Sequence, residues 1–171
     1  MATSTQLAQF TIRQMGPDDI DKVSEIEQVA SEHPWSKTSF QNCFDGGYHC
    51  FVGCIGEQIV AFGVLSCAVR EAHIQNIAVS PEFQGAGFGR ELLSMLLDEA
   101  KELGAKTVFL EVSVENSVAF SLYLSYGFSE VGQRKDYYKT ADGRKNARIM
   151  RKNFGKQRAL TILPEMMRRK K

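Results

Sequence analysis

Between Asn76 and Leu93 the chain reads NIAVSPEFQGAGFGRELL, with glycines alternating at Gly85, Gly87 and Gly89. Glycine lets a backbone enter conformations closed to other residues and approach a ligand closely. A helix that begins there offers unpaired N–H groups and the positive end of its dipole. Such a loop suits an anion, most often a phosphate. Further on, Glu111 interrupts the apolar run TVFLEV, a setting in which a carboxylate is costly. Buried there, a carboxyl becomes a better base near neutrality; an edge-strand glutamate facing solvent is the alternative. Tyr123 follows Asn116 by seven residues, two helical turns, so both project from a similar face. Its phenol is a proton donor in one reading and a plain core residue in the other.

The elements that must position these groups follow from periodicity. FTIRQM (10–15) reads as a strand, and Ile20, Val23, Ile26 and Val29 repeat at helical spacing behind Pro17. Ser36 suits the cap of a short helix running to Phe44. YHCFVGCI and IVAFGVLSCAV flank a GEQ turn as a hairpin, and HIQNIAV (73–79) is another strand. Leu92, Leu93, Leu96, Leu97 and Ala100 make one helical face that stops at Gly104. TVFLEV (107–112) is a strand, and Asn116 opens a helix to Ser125. SEVGQRKDYY and NARIM close the chain as an antiparallel pair. Helices interleaved with strands on a mixed sheet define a layered α/β (α+β) class.

Composition narrows the functions. The 171 residues suit one domain, and 43% hydrophobic with 24% charged residues describes a core and a hydrated surface. Runs such as IVAFGVL are too short to span a bilayer, so no membrane partner is expected. MATSTQLAQF lacks the basic start and apolar block of a secretory signal. Cys43, Cys50, Cys54 and Cys67 match neither a zinc site nor a secreted scaffold, which leaves buried reduced thiols and a cytoplasmic setting. His33, His49 and His73 lack ligand spacing, so no metal is expected. Residues 151–171 hold eight basic side chains against the single acid Glu165, so the remainder carries −6 within a total of +1. A basic tail of this kind is a solvated extension or a contact for an anion such as RNA.

Three phosphate-binding patterns compete for the glycines. A Walker loop needs Gly-Lys-Ser/Thr, but Gly89 is followed by Arg90-Glu91. A dinucleotide fingerprint needs a third glycine where Arg90 or Leu92 stands, and this chain has one βαβ unit among hairpins. The third pattern, Q-x-x-G-x-G, is met by Gln84, Gly87 and Gly89. It resembles the pyrophosphate loop of the GCN5-related N-acetyltransferases (GNAT), which bind acetyl-coenzyme A. FLEVSVENSVAFSLYLSYGF resembles that family's second block, with Glu111, Asn116, Ala119, Leu122-Tyr123 and Gly127-Phe128 in register. Together with HPWSKTSF and DYYKTADGRKNARIM, these stretches resemble the RimI-type branch, which acetylates ribosomal-protein alanine N-termini. Ala86 and Lys139 depart from the commoner residues of that pattern. The resemblance covers residues 10–152, so residues 1–153 are expected to form the transferase domain and 154–171 a separate basic tail.

The resemblance implies a GNAT fold, a mixed and mostly antiparallel sheet flanked by helices. It implies acetyl-coenzyme A as co-substrate, with Gly85, Ala86, Gly87, Phe88, Gly89 and Arg90 cradling the pyrophosphate. Ile77, Ala78 and Val79 would pair with the pantetheine amides, and Asn116 would add a hydrogen bond. Glu111 would act as general base and Tyr123 as acid toward the departing sulfur. Trp35, Tyr137 and Tyr138, with His33 and Pro34, would flank the acceptor, a protein N-terminus from a ribosomal protein. Two other readings stay open: a GNAT acting on a lysine or small amine, and a non-catalytic coenzyme A- or RNA-binding module.

Overall fold

Runs of apolar and alternating residues build one sheet of seven strands in the computed structural model, which describes residues 9–155. The strands are β1 (Phe10–Gln14), β2 (His49–Ile55), β3 (Gln58–Ala68), β4 (Glu71–Val79), β5 (Thr107–Ser113), β6 (Ser129–Thr140) and β7 (Gly143–Asn153). Four α-helices accompany them: α1 (Ile20–Ala30), α2 (Lys37–Asp45), α3 (Phe88–Glu102) and α4 (Ser117–Ser125). The order across the sheet is β1-β2-β3-β4-β5-β7-β6, and among these neighbours only β4 and β5 run parallel. The architecture is the layered, mostly antiparallel α/β fold expected from the sequence. The basic tail beyond Gly155 lies outside the described residues.

One core cluster joins Leu92, Leu93, Leu96, Leu97 and Ala100 of α3 to β3, β4 and β5. A second joins Ile20, Val23 and Ile26 of α1 and Phe40 of α2 to Val52, Phe62 and Val64. Fully burying each such side chain stabilises the fold by roughly 1.5–3 kcal/mol. At Gly63 only hydrogen fits, because Leu96 Cδ1 lies 2.8 Å from where a Cβ would stand. The backbone of β3 thereby holds α3 close, and α3 begins at the glycine loop.

Helix α1 differs from the expected pattern in one residue. Val29 is 65% exposed, whereas Glu27 is 2% exposed. Nine residues from Ile20 amount to two and a half turns, which carries Val29 to the opposite face. Seven residues bring Glu27 back to the buried one.

The sheet opens at its centre. β4 and β5 pair from Glu71↔Thr107 to Ile74↔Leu110 and no further. Against β3, Val64 pairs Asn76 while Leu65 pairs Ile74, so Gln75 is an extra residue, a bulge. Bulges bend a strand and end regular pairing. The stretch from Gln75 to Val79 therefore presents an unpaired edge across from Glu111–Ser113.

Candidate active site

Gly85 and Gly87 take φ of +79° and +94°, left-handed values that strain any side-chain-bearing residue. Gly87 is the N-cap of α3. The turn is braced by Gln84, whose Nε2 donates to the Val79 carbonyl at 2.9 Å. Arg90 stands in the first turn with its guanidinium 5.5 Å from the Tyr126 ring centroid. Backbone donors, a helix start and a guanidinium thus lie at the end of the unpaired β4 edge. An anion fits that arrangement.

A cavity of about 510 Å³ occupies the opening between β4 and β5. Ile77, Ala78, Glu111, Asn116, Tyr123, Tyr138 and Trp35 line it. A second cavity, about 560 Å³, is lined by Tyr137, Arg134 and His73 and shares Trp35, Glu111 and Tyr138 with the first. Glu111 therefore stands on the wall common to both. Val79 and the glycine loop from Gly85 to Arg90 line neither cavity.

Glu111 is not the enclosed carboxyl that its apolar strand suggested. Its side chain is 24% exposed and its Oε1 meets Arg134 Nε at 2.8 Å. The strand alternates, with Leu110 and Val112 buried and Glu111 turned toward the cavities. Tyr123 is 6% exposed. Its burial, with Tyr138 nearby, pushes the phenol well above its ordinary value and keeps it protonated. Asn116 caps α4, its Oδ1 accepting from the Ala119 N–H at 3.1 Å, which leaves its amide N–H groups for other partners.

The aromatic wall combines the loop after α1 with β6. His33 stacks on Tyr138 with ring centroids 5.6 Å apart, and Tyr137 meets Tyr138 edge-on at 4.9 Å. Burial pushes the Tyr138 phenol up to about 12. Burial and the Glu111 carboxylate also raise Tyr137. Trp35 lies between roles, packed on Phe40 at 5.4 Å while lining both cavities.

The carboxylate and ammonium-type side chains that line the first cavity are of one sign. Glu27, Glu32, Glu111 and Glu115 line it, and no lysine or arginine does. Lys145 stands behind, pairing Glu32 at 3.3 Å and contacting Glu115. Asp136 is exposed on β6 and lines neither cavity. On two of the lining residues a polar atom, Glu27 Oε2 and His33 Nε2, is buried without a hydrogen-bond partner. Glu27 and Arg134 carried no motif, and only the two-turn spacing from Ile20 marks Glu27 as inward-facing. Among the described residues no group of three or more His, Cys, Asp or Glu side chains could hold a metal ion. No helix among them is long and apolar enough to cross a membrane.

A parted β4–β5 pair, an anion loop at one strand's end and a carboxylate on the other define an acyl-transfer site of the acetyltransferase kind. The pattern of the acetyltransferase (GNAT) family matches residues 18–128, and the chain belongs to that family. It is 39% identical over 140 residues to the "[Ribosomal protein bS18]-alanine N-acetyltransferase" of Escherichia coli, spanning 82% of this chain and 95% of that one. The crystal structure of that Escherichia coli enzyme superposes with TM-score 0.80 at 36% identity, covering 86% of this chain and 97% of its own. The fold is shared by the yncA protein of Salmonella typhimurium, solved with acetyl-CoA, at TM-score 0.74 and 20% identity. That alignment covers 88% of this chain and 97% of the other.

Proposed function

We propose that this acetyltransferase moves the acetyl group of acetyl-coenzyme A to a protein N-terminal α-amine, the acceptor being the N-terminal alanine of ribosomal protein bS18. The observation that carries the acceptor class is the first cavity, whose charged lining is Glu32, Glu111 and Glu115 with no lysine or arginine, burial favouring the neutral form of the fourth glutamate, Glu27. Such a site attracts a cationic N-terminus and repels an acidic one. The 39% identity to the Escherichia coli enzyme supports the same acceptor.

In this reading the β4 edge at Ile77, Ala78 and Val79 pairs with the pantetheine amides, as a sheet edge takes an extended strand. The backbone from Gly85 to Arg90 holds the pyrophosphate. Asn116 donates to the coenzyme while its oxygen stays in the cap. Acetyl-coenzyme A supplies the activated acyl group, and the protein handles two protons. Glu111 Oε2, on the carboxylate whose Oε1 meets Arg134, takes one from the amine, directly or through water. A peptide α-amine has a pKa near 8, so a base of modest strength suffices. The Tyr123 hydroxyl gives the other to the departing sulfur. The aromatic wall of Trp35, Tyr137 and Tyr138 leaves room for a small first residue, because bulk there would hold the amine away from the thioester.

The four free thiols among the described residues fit a reducing cytoplasm. The basic extension expected from residue 154 is assigned an RNA or ribosome contact, with Phe154 itself packed against the core. Removing residues 156–171 should leave acetylation of a short peptide unchanged and weaken any salt-sensitive RNA association. The cut falls after Phe154, whose N–H donates to Lys106 at 2.9 Å.

Steady-state kinetics over a peptide panel test the acceptor reading. An alanine-first basic peptide should exceed an acidic one in kcat/KM, and added salt should narrow the gap. Equal values for both peptides and for a small amine favour the small-amine reading instead.

A further inference from the structure

Glu27 is a charged-type residue with 2% exposure on α1, and neither proton transfer step uses it. Its Oε1 accepts two hydrogen bonds, one from the Trp35 backbone N–H and one from Asn76 Nδ2, each at 3.1 Å. These donors come from separate elements. Trp35 belongs to the loop after α1 that lines both cavities. Asn76 sits on β4 next to the bulged Gln75, on the edge that β5 leaves unpaired and one residue before Ile77. A further side-chain bond to the loop, Gln28 Nε2 to the Trp35 carbonyl at 3.4 Å, starts on α1 and does not reach β4.

We propose that Glu27 is a positioning residue for acetyl transfer, one carboxylate oxygen fixing the acceptor loop at Trp35 to the coenzyme-bearing strand at Asn76. The proposal rests on the reading of β4 as the coenzyme strand and of the Trp35 loop as the acceptor wall. Transfer needs amine and thioester brought together within a fraction of an ångström, and small misplacements cost rate. A single acceptor shared by two donors sets both elements against one point. Nothing apolar can replace it, because two buried donors would then lose their partner. The shared atom is Oε1, so an amide side chain can do the same work. Oε2 is buried without a hydrogen-bond partner and holds neither element.

Trp35 is the sole tryptophan, so its emission reports the loop independently of activity. Glu27→Met keeps the length and removes the acceptor; Glu27→Gln keeps it. The Met variant should shift Trp35 emission to the red and raise the KM for an alanine-first peptide about tenfold, with two buried donors unpaired. The Gln variant should keep parental emission and a KM within about threefold of the parent, one acceptor oxygen remaining. Parental emission in Glu27→Met overturns the proposal, as does a Gln variant as impaired as the Met variant. Should Glu27→Met fail to fold, Asn76→Ala cuts only the strand end. It should raise peptide KM while melting like the parent, and an unchanged KM overturns the link. If the parent itself acetylates no peptide, the acceptor reading fails while the emission comparison still decides the loop's anchor.

Discussion

Glu111 and Arg134 meet at 2.8 Å, carboxylate Oε1 to guanidinium Nε, on the wall between the two cavities. The pair joins β5 to the far strand β6. Arg134 is more than half exposed and also lies 5.4 Å from the Tyr137 ring centroid. Arg134 thereby orients one oxygen of the Glu111 carboxylate.

If Glu111 is the base and Arg134 only orients it, the two substitutions must differ. Glu111→Gln should slow transfer by about 100- to 10,000-fold, the span typical of general base roles. Arg134→Gln should cost far less, and nothing further in the Glu111→Gln background. Single-turnover rates of the two variants and their double settle this, since groups acting as a unit are non-additive. A threefold or smaller loss in Glu111→Gln excludes Glu111 as base.

Tyr123 is held protonated by burial, its phenol well above the ordinary value of 10. A raised acid pKa means that the proton is present at every lower pH. The donor should therefore impose no alkaline fall in kcat up to about pH 10, where an unperturbed tyrosine is half ionised. Tyr123→Phe should lower kcat by about 100-fold or more while leaving coenzyme A affinity near parental. A pH–rate profile and calorimetry measure the two parts, and a variant with full kcat contradicts the assignment.

The glycine loop makes a sharper demand. At φ +94°, Gly87 is the left-handed cap of α3, and a β-branched residue there is an outlier. Gly87→Val should weaken coenzyme A binding by about tenfold or more, because donors at the helix start lose their aim. Circular dichroism should still report the parental helices and strands. Unchanged affinity on calorimetry means that the loop does not hold the coenzyme.

Much of this site is written in local pattern. The strands, the four helices and the glycine loop follow from alternation, helical spacing and turn residues, and the loop's role needs backbone alone. What local pattern does not carry is pairing between distant elements. Arg134 reaches Glu111 only because β7 lies between β5 and β6 in the sheet, with a shift of register between Arg134 and Tyr138. A lone carboxylate in an apolar strand looks buried until that partner is placed. Glu27 hides differently, as a polar letter at an inward position whose donors lie 8 and 49 residues away. Gln84 is legible as a motif letter, yet its bond to the Val79 carbonyl is visible only in three dimensions.

The central claim is that acetyl goes to a protein's α-amine. Incubation with acetyl-coenzyme A and a basic peptide that begins with alanine and carries an internal lysine tests it in one tube. Tandem mass spectrometry then locates the modification. The account requires one acetyl group, on the alanine nitrogen, with the lysine untouched and with the product lost in Glu111→Gln. Acetyl on the lysine side chain, or an unmodified peptide alongside an acetylated small amine, contradicts it.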